Sequence, residues 1–102
     1  MEKTLIRSKN MVDDSGSRFT LYYWMLSREI LDERNNIARA YGVEVEKCQG
    51  SLILEAERVE NLYQKKQEIL DFIGRLADGT VTPVSLLSLV DDFVYEIEEA
   101  IS

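Results

Sequence analysis

The chain has 102 residues, a formal net charge of −7 and a composition of 45% hydrophobic and 30% charged residues, which suits one soluble globular domain and speaks against disorder. There is no histidine and a single cysteine, Cys48, which removes Ser-His-Asp and Cys-His catalysis, the usual transition-metal ligands and any internal disulfide framework. No apolar run reaches membrane-spanning length, the longest being Phe19 to Leu26, and Met1-Glu2-Lys3-Thr4 leads into mixed sequence rather than a signal peptide, so a cytoplasmic protein is the expectation.

In chain order, residues from about 3 to 11 read as a first strand, and Asp13-Asp14-Ser15-Gly16-Ser17 as a turn by composition. That turn lacks the alternating oxygen ligands and closing glutamate of a calcium loop, so a plain hairpin turn is the better reading. Residues 18–29 form the strongest strand: Phe19, Leu21, Tyr23 and Met25 point to one side, and Thr20, Tyr22, Trp24 and Leu26 to the other. Asp32 to Asn36 is a second turn. From 37 to 48, Tyr41, Val43 and Val45 alternate against Gly42, Glu44 and Glu46, the period of a half-buried strand. After Gln49-Gly50-Ser51, Leu52, Leu54 and Ala56 alternate with Ile53, Glu55 and Glu57, which predicts a fourth strand over 52–59. The rival is one long helix over 52–77, because Glu55-Ala56-Glu57-Arg58 has good helix propensity; the alternation favours the strand.

The last third predicts two helices, over about 64–77 and 83–100. Leu62, Ile69, Phe72, Ile73 and Leu76 share a face in the first, and Asn61 with Gln64 fits a capping box. Lys66 falls within that stripe, its stem passing over the first turn. Gly79 suits a left-handed residue closing the helix. Thr82 suits an N-cap with Pro83 at the first helical position. Leu86, Val90, Phe93, Ile97 and Ile101 then form an apolar stripe, widened by Leu87, Leu89 and Val94. The expected fold is α+β: a four-stranded antiparallel β-meander followed by a two-helix antiparallel hairpin packed on one face.

Two stretches, Tyr41-Gly42-Val43-Glu44-Val45-Glu46-Lys47 and Val81-Thr82-Pro83 with Leu86 three residues on, carry a resemblance. The chain resembles a domain-of-unknown-function family of small proteins from anaerobic Firmicutes, whose members share a "Tyr-Gly-Ile-Glu-Ile-Glu" strand, a "Val-x-Pro-x-x-Leu" helix start and an acidic last helix. The likeness covers about Phe19 to Phe93. It implies the strands-then-helices layout and a bacterial cytosolic setting, and no activity or site residues.

For function, no catalytic, cofactor or metal set emerges. Beyond Arg75 there is no Lys or Arg, while Asp78, Asp91, Asp92, Glu96, Glu98 and Glu99 accumulate; direct nucleic-acid binding and an anionic membrane surface are therefore disfavoured. Asp92, Glu96 and Glu99 stack at helical spacing and could hold a divalent cation weakly, though a solvated acidic face explains them more simply. Tyr95 lies among Asp91, Asp92, Glu98 and Glu99 as a contact for a basic partner. Tyr22, Trp24 and, as an extension, Tyr41 offer a second contact patch on the sheet, with homodimerisation its simplest use. Cys48 reads as an inert thiol. The leading expectation is a non-enzymatic protein-interaction or regulatory module with an unidentified protein partner; the alternatives are an acidic mimic of nucleic acid that inhibits a basic protein, and a carboxylate-based metal or small-ligand enzyme.

Overall fold

The computed structural model describes residues 1–101, with side chains through Ala100. Four strands, β1 (Glu2–Val12), β2 (Arg18–Leu31), β3 (Ile37–Gln49) and β4 (Leu52–Tyr63), pair antiparallel in the order β1-β2-β3-β4. Helix α1 (Lys66–Asp78) follows, then a 3₁₀ turn (Pro83–Ser85) running directly into α2 (Leu86–Ile101). Meander and helix pair are those the residue pattern predicts. The long-helix reading of 52–77 falls because residues 52–63 pair with β3.

Two of the three hairpin turns use the same device. The backbone N–H of Asp13 donates to Ser17 O and that of Gly16 to Asp13 O; the N–H of Asp32 donates to Asn36 O and that of Asn35 to Asp32 O. In each, the leading aspartate carboxylate accepts amide N–H bonds from residues two and four ahead. The fourth position takes positive φ, 86° at Gly16 and 61° at Asn35, where Gly and Asn are tolerated best. The Ser15 hydroxyl and the Ser17 amide hold the Asp13 carboxyl below the usual carboxylate range.

Alternation assigns the two faces of the sheet. Leu21, Tyr23 and Met25 of β2 and Val43 and Val45 of β3 point towards the helices, where Ile69, Phe72, Ile73, Leu76, Leu86, Val90 and Phe93 meet them in one core. Phe72 and Phe93 stack with centroids 4.4 Å apart, joining α1 to α2, and Tyr63 meets Phe93 edge-on. Tyr23 is wholly buried and donates its hydroxyl to Val81 O at 2.8 Å, which ties the sheet to the segment between the helices.

Burial pushes the Tyr23 phenol up to about 12. Because the folded state holds the proton more tightly than the unfolded chain does, this contribution is complete below about pH 10 and is lost as pH rises through about 12. Urea titrations across that window are expected to show the wild type losing about 2 kcal/mol more than Tyr23→Phe. Equal slopes for the two proteins would show that the phenolate forms without opening the core.

Several local expectations are corrected. β4 runs on to Tyr63, so Leu62 packs on the core from a strand and not from α1. Asn61 is no helix cap: it takes φ 53° within β4, and α1 starts at Lys66, an exposed residue, without a side-chain cap. β4 places Glu60, Asn61 and Leu62 opposite the single residue Gly42, because Tyr41 pairs with Tyr63 and Val43 with Val59. The left-handed residue that closes α1 is Thr80 (φ 52°) and not Gly79 (φ −83°). Val81 N–H donates to Leu76 O and Thr80 N–H to Ala77 O, both at 3.0 Å, the bond pair of a Schellman closure. Thr80 is held in that uncommon conformation from outside: the Lys9 ammonium bonds its hydroxyl at 2.6 Å and Ala77 O at 3.0 Å, a cation placed where the helix dipole favours one. Thr82 is extended but makes no side-chain cap bond, and regular helix begins at Leu86 after the 3₁₀ turn. On α2, Leu89, Val94 and Ile97 join the core edge, whereas Leu87 turns outward; the side chain of Ile101 lies outside the described residues.

Candidate protein-contact surfaces

The sheet face turned away from the helices is where the sequence places the aromatic patch. Tyr22 and Trp24 do lie there, their rings 6.4 Å apart and tilted, and both are half-buried. Tyr41 does not join them; it packs on the helix side, in register with Ser27 and Tyr63.

A network of charged side chains shares the face with the two rings. The Lys3 ammonium stands 4.5 Å from the centre of the Trp24 ring and forms an ion pair with Glu44 and a second, at 3.5 Å, with Glu46. The Trp24 indole N–H donates to Glu46 Oε1 at 2.5 Å. From β4, the Arg58 guanidinium reaches Glu44 Oε1 at 2.7 Å through Nε and through Nη2. Glu44 is only 3% exposed. Its Oε2 accepts no well-aligned hydrogen bond, but the Lys3 ammonium lies against it, so the charge is compensated by an ion pair. Glu44 in turn holds the Arg58 proton more firmly than usual, chiefly by accepting its hydrogen bond.

The network draws one side chain from β1, one from β2, two from β3 and one from β4, all at the middle of the sheet. It lies over the uncovered face, and beneath and around it Leu26, Ala40 and Cys48 are buried. Burial, and secondarily Glu46, pushes the Cys48 thiol up, so it is held as a neutral thiol, a poor nucleophile. No local pattern could reveal this network, because Lys3 and Arg58 are far from Glu44 in sequence. Only the odd pairing of Glu44 and Glu46 in a strand otherwise rich in core residues hinted at it.

The second predicted surface is α2. Asp91, Asp92, Tyr95, Glu96, Glu98 and Glu99 are all exposed. Arg75 of α1 reaches Glu96 at 3.3 Å. Between the two helices, Phe72, Leu76, Leu89 and Phe93 floor a groove of about 270 Å³, with Arg75, Asp92 and Glu96 at its rim. Among the described residues, no three Asp, Glu or Cys side chains are grouped so as to hold a metal ion.

The outward side of α2 carries more than acids. Val84 in the 3₁₀ turn is 81% exposed, Leu87 51% and Tyr95 63%. With Asp91 and Glu98 they recur at spacings of three, four, four and three, one stripe along the helix. Sequence reasoning found Tyr95 but put Leu87 on the core arc and overlooked Val84. The available signal was that α2 has more apolar positions than one helix face can bury.

Fold and surfaces together define a small acidic α+β protein, a meander sheet covered on one side by two helices and closed on the other by its own charged side chains. The chain belongs to the family of unknown function DUF6514, whose model matches residues 2–96. That agrees with the expected resemblance to a family of unknown function. No curated protein and no solved structure matches it. No helix among the described residues is long and apolar enough to cross a membrane.

Proposed function

We propose that this protein is a non-enzymatic interaction module and that its contact surface is the outward side of α2. The observation that carries this reading is the alignment of Val84, Leu87 and Tyr95, large apolar side chains left in water along one helix stripe. Scattered exposed apolar residues are ordinary, but an ordered row of them beside charged neighbours is the layout of a partner site. The sheet face is the weaker candidate, because Lys3, Trp24 and Arg58 already satisfy its carboxylates. The same satisfaction favours binding over chemistry, since the buried acids are engaged with the protein itself.

A photo-crosslinking residue placed at Leu87 is expected to yield a discrete adduct in native host cells, while one placed at Tyr22 yields none. Adducts from the Tyr22 position alone would overturn the assignment.

A further inference from the structure

We infer that the partner presents an amphipathic, positively charged helix that lies along α2. The inference rests on the interaction reading above and names the chemistry of the occupant. From Val84 to Glu98 the stripe is about 21 Å long at the rise of a helix, a ridge of side chains with no free backbone edge for a strand to join. A helix laid alongside meets such a ridge at the same three- and four-residue intervals.

Charge selects among helices. Asp91 stands in the middle of the stripe, between Leu87 and Tyr95, and Glu98 closes it. A carboxylate within a forming apolar seam must find a cation opposite, or its desolvation opposes binding. α2 supplies none, having no Lys or Arg along its length. Asp92 and Glu99 flank the seam with further negative charge. A second copy offering the same stripe would set Asp91, at the stripe's midpoint, against its equivalent whether the helices run parallel or antiparallel, and nucleic acid or anionic lipid would be repelled outright. A helix with leucine-like residues in the seam and Lys or Arg facing Asp91 and Glu98 satisfies both the apolar and the charged positions.

The probe is a synthetic helix of about 20 residues, enough to span the stripe, with leucine in the seam and lysine beside it. It is used with a scrambled peptide of identical composition. Amide NMR titration of the intact protein is expected to move resonances along 84–98 with the ordered peptide only. Leu87→Ser and Tyr95→Ala should each weaken binding at least about tenfold while melting temperature is held, since both side chains are largely in solvent. Asp91→Lys should weaken it similarly, and a peptide carrying glutamate at the facing position should restore affinity for that variant. Equal binding of the scrambled peptide, shifts centred on Tyr22 and Trp24, or self-association abolished by Leu87→Ser would overturn the inference. If the peptide fails while crosslinking at Leu87 persists, the helix chemistry falls and the interaction reading stands; if both fail, both fall.

Discussion

Gly42→Ala is expected to destabilise the protein by about 3 kcal/mol or more, the upper end of overpacking costs, in chemical denaturation. A β-carbon at Gly42 would lie 2.1 Å from Val59 O and 3.0 Å from the Glu60 α-carbon. Both are backbone atoms, so no side chain can swing aside. The contact arises because β4 folds three residues, Glu60 to Leu62, against Gly42 alone. Making room would mean straightening that bulge, which would shift Leu62 and Tyr63 off the core and displace the start of α1. A wild-type midpoint in the variant would show that the two strands separate there at little cost. Gly16 and Gly50 are a useful contrast: their φ values are positive but an added carbon meets nothing within 4 Å, so alanine there strains only a turn.

The second large effect concerns the network on the uncovered face. Replacing Lys3 and Arg58 together by methionine is expected to cost about 3 kcal/mol, the low end for a buried charge stripped of its partners. Glu44 would be left screened from water with neither of its cationic partners. The reverse substitution, Glu44→Leu, should cost only about 1 kcal/mol, because Lys3 and Arg58 are 33% and 45% exposed and can turn to solvent. The order of the two effects is the sharper test. If removing the acid costs more than removing both bases, then packing rather than charge compensation dominates at Glu44.

How far the residue pattern reached can be judged from these same places. Alternation at Phe19 to Leu26, Tyr41 to Glu46 and Leu52 to Glu57, and the stripes from Ile69 to Leu76 and Leu86 to Ile97, were enough to lay out β2, β3, β4 and both helices, because each is a repeat within a few residues. The end of β4 was not legible. Asn61 tolerates a left-handed backbone and so permits a bulge, but whether it makes one depends on Gly42, some twenty positions earlier. Glu44 and Glu46 were correctly placed opposite Val43 and Val45, yet their burial depends on Lys3 and Arg58 from strands that only the fold brings near. Thr80, and not Gly79, is the left-handed residue, and the Lys9 contact that accompanies it comes from β1, far away in sequence. On α2 the acids and Tyr95 were readable as a polar side, whereas Leu87, about 100° round the helix from Leu86, falls outside the arc that Leu86, Val90 and Phe93 bury.

Each outer strand is interrupted. β1 slips register between Leu5 and Arg7, and β4 does so near Leu54 and again at Glu60 to Leu62. A straight run of unpaired amides and carbonyls invites another chain to zip on, and such kinks deny it a template. Leu52, Ile53 and Leu54 are exposed beside one of those kinks, where greasy residues on a smooth border would otherwise seed fibrils. The kinks thus work against edge-to-edge association of these long strands, and any variant that irons out the 60–62 step is expected to present a smoother, stickier border.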